Sequence, residues 1–201
     1  MTEKPDWMAE RGDRWTPGES REVYQNPWIR VTEHRPTAPT GRKALYGIVH
    51  MKNLALGVLP LHEDGTVTLV GQHRFVFDRY SWELPEGGGP IGEDPLENAK
   101  RELAEEAGLA ARSWTRVLNF TLSNAVTDER GVGYLATDLY PVPAEPDENE
   151  DIAIARVSFR EALTQALAGN IDDIITVAML LRVYHMAREG ELPSQLTEAV
   201  L

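Results

Sequence analysis

The chain has 201 residues, 42% of them apolar and 26% charged, which predicts one globular domain with a terminal extension. Its 20 Lys and Arg residues against 32 Asp and Glu residues give a net charge of −12, which disfavours binding to nucleic acid or anionic lipid. The lack of cysteine excludes disulfides, thiolate metal sites and cysteine nucleophiles. We see no signal peptide and no apolar run long enough to span a bilayer. We therefore expect a cytoplasmic protein with neither nucleic-acid nor membrane partners.

The N-terminal part of the chain divides into two regions by composition. Residues 1–20 are polar and interrupted by Pro and Gly, which predicts a loose arm. Residues 21–43 contain extended segments and are predicted to form N-terminal strands. In chain order, extended segments are predicted at Glu22–Tyr24, Trp28–Arg35, Ala44–Met51, Leu54–Leu61, Val67–Gln72 and Trp82–Leu84, followed by a glycine-rich loop.

The clearest helix signal in the chain lies after this loop. Asp94 is a typical N-cap, Pro95 suits the first helical position, and Glu97 follows three residues after the cap. Gly108 is the residue type that ends helices in the left-handed conformation. The sequence therefore predicts a helix between Asp94 and Gly108.

The remainder of the chain mixes strands and helices without regular alternation. Strands are predicted at Trp114–Leu122, Gly133–Leu139 and Ile152–Ser158, and helices at Phe159–Ala168 and Asp172–Arg188. An acidic, Pro-rich loop occupies Pro141–Asp151. This order favours an α+β protein over a doubly wound parallel sheet.

The predicted helix carries a cluster of carboxylates beside its apolar face. Glu102 and Glu106 are one helical turn apart, Glu105 lies between them, and Arg101 is one turn from Glu105. Ligands that offer only oxygen suit a hard cation such as Mg²⁺ or Mn²⁺. The alternative is that these charges solvate an exposed helix. The apolar face is formed by Leu96, Ala99, Leu103 and Ala107.

A second motif overlaps the glycine-rich loop. Residues 87–92 read GGGPIG and satisfy the dinucleotide-binding pattern G-x-G-x-x-G. That pattern requires the following helix to begin inside the glycine loop. Because Pro90 interrupts the loop and the cap signals place the helix start at Asp94, we reject this interpretation.

The spacing of residues 87–109 resembles the Nudix box at every specified position. Gly87 is followed after five residues by Glu93, and after seven more by the run RELAEEAGL that begins at Arg101. The chain is therefore identified as similar to Nudix hydrolases. The resemblance implies an α/β/α sandwich around a mixed sheet and metal-dependent hydrolysis of a nucleoside diphosphate linked to another group. We place this domain at residues 44–190, followed by a tail at residues 191–201.

Four further segments resemble the ADP-ribose and nucleoside-diphosphate-sugar pyrophosphatase branch of that family. They are Val70–Arg74, Trp82–Gly87, Ser123–Glu129 and Glu148–Ile152. These segments differ from the pattern of that branch at two places. Glu86 replaces a small residue, and Asn124-Ala125 replaces a Pro-Gly pair that usually marks ADP-ribose specificity.

The resemblance also implies roles for individual residues. The metal ligands are Glu102, Glu106, Glu150 and the backbone carbonyl of Glu86, with Mg²⁺ as the cofactor and Mn²⁺ as a possible substitute. Glu148 is the favoured general base, Glu105 is the alternative base, and Arg101 orients Glu105.

Three residues are predicted to contact the substrate. Arg74 binds a phosphate, with a surface ion pair as the alternative. Glu129 contacts the substrate or supports the metal, unless it is only a turn residue. Trp28 stacks on a base, although packing in a core explains it equally well.

The resemblance further implies a homodimer built through the N-terminal strands of residues 21–43. The expected reaction cleaves ADP-ribose or a related nucleoside diphosphate sugar into a nucleoside monophosphate and a sugar phosphate. GDP-mannose or another nucleoside-diphosphate compound is the alternative substrate. A Nudix-fold sensor that binds its ligand without cleaving it is the alternative function.

Overall fold

The structure, a computed structural model, describes residues 4–144 and 151–201. The strands are β1 (Ser20–Gln25), β2 (Ile29–His34), β3 (Tyr46–Met51), β4 (Asn53–Pro60), β5 (Thr66–Arg74), β6 (Arg79–Glu83), β7 (Glu86–Pro90), β8 (Leu109–Thr121), β9 (Arg130–Pro141) and β10 (Ala153–Ser158). The helices are α1 (Pro95–Ala107), α2 (Phe159–Leu167), α3 (Ile174–Arg188) and α4 (Ser194–Val200), and a short 3-10 helix covers Asp6–Met8. The predicted α+β class is confirmed.

The chain forms two compact units. The N-terminal unit contains the residues up to Lys52 together with Leu122–Asp128. The C-terminal unit contains Asn53–Thr121 and Glu129–Leu201. Each unit has its own sheets.

The N-terminal unit is an antiparallel sheet of β1, β2 and β3, as predicted. The segment Leu122–Asp128 joins this sheet through the backbone N–H of Val49, which donates to the carbonyl of Val126 at 2.9 Å. Asp128 fixes the contact further, because its carboxylate lies 2.6 Å from Nδ1 of His50 and accepts from the N–H of Met51 at 2.9 Å. Hydrogen bonds with these two residues lower the pKa of Asp128 despite some burial.

The C-terminal unit has the sandwich architecture that the resemblance implied. Its larger sheet has the order β7-β4-β9-β8, in which β4 and β9 are parallel and the other pairs antiparallel. The smaller sheet has the order β10-β5-β6. Helix α1 packs on one face of the larger sheet and α3 on the other.

Packing differs on the two faces of the larger sheet. Facing α1, the sheet and helix bury an apolar cluster that contains Leu56, Val132 and Leu103. Facing α3, two strands carry glycine. A Cβ at Gly57 would lie 2.6 Å from Ile175, and one at Gly133 would overlap the sulfur of Met179. Only glycine therefore lets α3 pack this closely.

Both predicted boundaries of α1 are confirmed. The side chain of Asp94 accepts from the backbone N–H of Leu96 at 2.9 Å, and Pro95 begins the helix. Gly108 ends it in the left-handed conformation, with φ of 62°.

The segment predicted as a glycine-rich loop is largely a strand, so that prediction was wrong for Glu86–Pro90. Strand β7 pairs with β4, with Gly87 opposite Leu56 and Gly89 opposite Leu54. Glycine has low intrinsic strand preference, which is why the sequence pattern indicated a loop. The lack of side chains is what brings α1 against this strand, since a Cβ at Gly89 would lie only 2.5 Å from the amide of Asn98.

Residues assigned to the C-terminal tail include helix α4. Val200 in this helix is fully buried. Gly65, in the turn between β4 and β5, has a φ of 77°, and a Cβ there would lie 2.7 Å from the carbonyl oxygen of Ala199. Helix α4 therefore packs directly on this turn. The domain boundaries given by the sequence stay a prediction.

Across residues 4–144 and 151–201, the structure contains no helix that is long and apolar enough to cross a membrane.

Two glycine substitutions distinguish the effect of a positive φ on stability from the effect of overlap with α4. We expect Gly65→Ala to lower the free energy of unfolding through an unfavourable positive φ and through overlap with Ala199. Gly169→Ala is the matched control, because Gly169 has a φ of 78° but a Cβ added there would meet no atom within 4 Å. Denaturant unfolding should show a loss about 1–3 kcal/mol larger for Gly65→Ala. Equal losses would contradict the packing of α4 on the turn.

Candidate active site

A buried polar stripe on α1 faces strand β7. Asn98, Glu102 and Glu106 are spaced by four residues, so they share one face of the helix. The carboxylates are buried, with 8% of Glu102 and 5% of Glu106 exposed. The backbone N–H of Glu86 donates to Oε2 of Glu106 at 2.9 Å, and a Cβ at Gly87 would overlap the carboxylate of Glu102. The backbone of β7 therefore lies directly against both carboxylates.

Arg101 joins this stripe to the exposed edge of the helix. Its Nη1 donates to Glu105 at 2.6 Å, as the helical spacing predicted, and its Nη2 donates to Glu102 at 2.6 Å. Nη2 also lies 3.3 Å from the carbonyl oxygen of Gly88. Although burial disfavours its charge, the two carboxylates raise the pKa of Arg101. Arg101 thus contacts Glu105, as its spacing predicted, and its guanidinium also bridges to Glu102, a contact that the spacing did not predict.

Arg74 forms a second buried charge cluster at the end of β5. Its Nε lies 3.0 Å from both carboxylate oxygens of Glu83, and its Nη2 also donates to Glu83. Nη2 additionally donates to Oε1 of Glu86 at 3.1 Å. The hydrogen bonds with Glu83 raise the pKa of Arg74 in spite of its burial. Glu83 had no predicted role, because its contact with the half-buried Arg74 forms only when β5 pairs with β6.

Glu86 is the most unusual member of this cluster. Its Oε2 atom is buried and forms no hydrogen bond with any described residue. Burial, followed by the charges of Asp173 and Glu83, raises the pKa of Glu86 well above its ordinary value. Burial also disfavours the charge on Glu83, but hydrogen bonds from Arg74 and Ser81 outweigh this and lower the pKa of Glu83.

The N-terminus of α3 supports the link between β6 and β7. The backbone N–H of Leu84 donates to Oγ1 of Thr176 at 2.9 Å, and both residues are fully buried. Asp173 caps α3 by accepting from the N–H of Thr176 at 2.7 Å. These bonds fix the segment that leads from Glu83 to Glu86.

The donor set of the site fits a hard divalent cation. Glu102 and Glu106 offer only oxygen, and the buried carboxylates of the two clusters outnumber the arginines Arg74 and Arg101. In the part of the chain that the structure describes, no three His, Asp or Glu side chains are gathered in a metal-binding group. Two residues predicted to complete the site, the ligand Glu150 and the base Glu148, lie outside the described residues.

The other predicted site residues lie elsewhere. Glu129 directly precedes β9 and is half-buried, which raises its pKa. Trp28 belongs to the N-terminal unit, where it follows β1 and is 65% exposed. Its backbone N–H donates to Oδ1 of Asn26 at 2.9 Å. The structure thus brings together Arg74, Glu86, Arg101, Glu102, Glu105 and Glu106, whose roles stay predictions.

Comparison with known proteins identifies the family. The family model of the NUDIX domain matches residues 51–177. The chain belongs to the Nudix family. The family model of the nucleoside diphosphate sugar hydrolase N-terminal domain matches residues 15–49, so both parts of the predicted resemblance are confirmed.

Relatives of this Nudix protein include two bacterial ADP-ribose pyrophosphatases. The protein from Mycobacterium tuberculosis is 33% identical over 133 residues, which are 65% of this chain and 64% of that protein. The protein from Bacillus subtilis is 32% identical over 140 residues, which are 69% of this chain and 75% of that protein. The chain thus spans less than two thirds of the length of the M. tuberculosis relative.

A solved structure confirms the Nudix fold. The crystal structure of an ADP compounds hydrolase superposes with a TM-score of 0.80 at 20% sequence identity. The superposition covers 92% of this chain and 100% of that chain. At this identity the likeness establishes the fold alone.

The close approach of β7 to Glu102 can be tested with neighbouring glycines. We expect Gly87→Ala to displace the Glu102 carboxylate and weaken Mn²⁺ binding by about 10- to 100-fold. Gly88→Ala is the control, because a Cβ there meets only Asn53, at 3.0 Å and beyond. Electron paramagnetic resonance of free and bound Mn²⁺ measures both affinities. Equal affinities in the two variants would show that Glu102 does not hold the ion.

Proposed function

We propose that this Nudix protein hydrolyses the pyrophosphate of ADP-ribose or a related nucleoside diphosphate sugar with Mg²⁺. The products are a nucleoside monophosphate and a sugar phosphate, and Mn²⁺ substitutes for Mg²⁺. The observation that carries the proposal is the pair of buried carboxylates, Glu102 and Glu106, held against the backbone of Glu86. The similarity of both segments of the chain to pyrophosphatases supports the substrate class.

The chemistry requires a water to attack one phosphorus while the bridging P–O bond breaks. A divalent ion, when bound, neutralises the phosphate oxygens and makes its water more acidic. Glu102, Glu106 and the Glu86 carbonyl would hold this ion, together with Glu150. Glu148 accepts the proton of the attacking water, and Glu105 is the alternative base. Arg101 restrains Glu105 and Glu102 through one guanidinium.

Arg74 is suited to bind a substrate phosphate. Glu83 fixes its Nε and Nη2, so the planar guanidinium is oriented before the substrate arrives. Within the described part of the chain, Nη1 has no hydrogen-bond partner and keeps two N–H groups for an anion. A preorganised arginine loses less entropy when it binds phosphate.

Asn124-Ala125 supports a second substrate class. This pair replaces the Pro-Gly that marks ADP-ribose specificity in the branch, so GDP-mannose or another nucleoside-diphosphate compound is the alternative substrate. The carbonyl of Ala125 accepts from the hydroxyl of Tyr46 at 2.5 Å, which fixes the backbone at this position.

Turnover with Mg²⁺ across a panel of substrates tests the proposal. The panel contains ADP-ribose, GDP-mannose, UDP-glucose, NADH, diadenosine polyphosphates and nucleoside triphosphates, with a coupled phosphatase for readout. We expect the highest kcat/KM for ADP-ribose. A preference for another sugar nucleotide would keep the chemistry but change the substrate. Tight ADP-ribose binding without turnover would favour the non-catalytic sensor.

Glutamine substitutions on α1 locate the catalytic carboxylates. We expect Glu106→Gln to lower kcat at least about 100-fold, because it removes a charged ligand of the metal. Glu97→Gln is the control on the same helix, since Glu97 is exposed and its carboxylate pairs with Lys100 at 2.7 Å. Comparing Glu148→Gln with Glu105→Gln then identifies the base by the larger loss in kcat. Unchanged turnover in Glu106→Gln would refute the proposed site.

We also propose a homodimer through the N-terminal unit. Strand β1 is exposed along its whole length, and Val23, Tyr24 and Trp28 place large apolar side chains in solvent. Such surface is typical of an interface. Light scattering should give twice the chain mass of 22.5 kDa. Tyr24→Glu should yield a monomer. Leu167→Glu, which changes an exposed residue of α2, is the control and should leave the dimer intact. A monomeric unmodified protein would contradict the proposal.

A further inference from the structure

A cavity of the C-terminal unit lies beyond the N-terminal end of α1. Its volume is about 540 Å³, which is within the range of small-molecule sites. Its apolar floor includes Leu54 and Leu56 of β4 and Val132 of β9. One wall is the segment 89–93 with Pro95 and Asn98, and the opposite rim belongs to β8 and the start of β9.

This cavity is separate from the predicted metal site. None of the clustered residues Arg74, Glu86, Glu102 and Glu106 lines it. Asn98 lines it, and the predicted ligands Glu102 and Glu106 lie four and eight residues further along α1, which correspond to about 6 and 12 Å of helix. The cavity therefore lies at the N-terminal end of the buried stripe, and the predicted ligands occupy its middle and its C-terminal end.

Two arginines give the rim a positive character. Arg116 and Arg130 line the cavity, and neither forms an ion pair within residues 4–144 and 151–201. Glu93 is the single acidic residue among the lining residues. The cavity thus has excess positive charge in an acidic protein.

A β-bulge in β8 orients Arg116. The pairing of β8 with β9 shifts register between Arg116 and Leu118, so Arg116 and Asn119, which are three residues apart, come to the same side of the strand. The Nη2 group of Arg116 donates to Oδ1 of Asn119. This hydrogen bond fixes the guanidinium of Arg116. Its remaining N–H groups can therefore donate to a ligand without a further loss of side-chain entropy.

From this combination we propose that the cavity binds a phosphomonoester of a nucleoside or sugar. The arginines at the rim pair with the dianionic phosphate, for which the guanidinium fork is suited. The apolar floor accepts the face of the base or sugar. This site does not depend on the proposed hydrolysis, so a chain without turnover would still bind at this cavity.

Binding of defined probes to the full chain tests the site. With EDTA present to empty the metal site, AMP, ribose 5-phosphate, inorganic phosphate and adenosine are titrated and followed by calorimetry. We expect AMP or ribose 5-phosphate to bind at least about tenfold more tightly than inorganic phosphate or adenosine, and the stronger of the two identifies the occupant. No binding of any phosphomonoester at about 10 mM would overturn the proposal.

Substitutions at the rim locate the bound probe. Arg116→Ala and Arg130→Ala should each raise the Kd at least about tenfold, because each removes a charged donor. Thr121→Trp, at the exposed rim, should raise it by a similar factor by filling the cavity. Arg160→Ala removes an exposed arginine from α2 and should change the Kd less than about twofold. Unchanged binding in both arginine variants would overturn the proposal even if Thr121→Trp did not fold.

Backbone amide shifts give an independent location. Gly89, Gly92 and Gly131 line the cavity, and their amide signals should move on titration with the phosphomonoester. Gly87 lies against Glu102 at the predicted metal site. Shifts at Gly87 without shifts at Gly92 and Gly131 would place the ligand at the metal site and refute a second site.

Discussion

The close approach of α1 to β7 is the constraint on which the rest of the C-terminal unit depends. Glycine at positions 87 and 89 removes the side chains that would separate helix from strand. The polar stripe Asn98–Glu106 fills the space, so the strand backbone contacts carboxylates that would otherwise point into solvent. The spacing of glycine and glutamate in the Nudix box is therefore a packing requirement, because a Cβ at position 87 would overlap the carboxylate of Glu102.

Burying this many carboxylates is unfavourable unless cations compensate them. Arg74 and Arg101 each bond two carboxylates, yet Oε2 of Glu86 is still without a hydrogen bond from any described residue. The grouping of negative charge at this site thus lowers the stability of the folded protein, as is common at functional sites. A divalent cation bound at Glu102 and Glu106 would relieve part of this repulsion and stabilise the folded state at the same time.

The sequence predicted features that depend on local chemistry. Capping residues located both ends of α1, and its apolar spacing identified the face that packs on the sheet. Features set by distant partners were missed or misassigned. Strand β7 pairs through its backbone, which its glycines do not reveal, and Glu83 acquires its partner only when β5 pairs with β6. The burial of Val200 depends on the packing of α4, which no local pattern encodes.

The discontinuous N-terminal unit has a consequence for synthesis of the chain. His50 and Asp128 are 78 positions apart, and the segment that carries Asp128 belongs to the same unit as β1, β2 and β3. On a ribosome, the first 52 residues emerge long before this segment does. The sheet of β1, β2 and β3 therefore keeps an exposed edge while most of the strands of the larger sheet are synthesised. During this time, pairing of that edge with another nascent chain competes with its pairing to the segment Leu122–Asp128. The N-terminal unit can thus be completed only after the intervening segment Asn53–Thr121 has been translated.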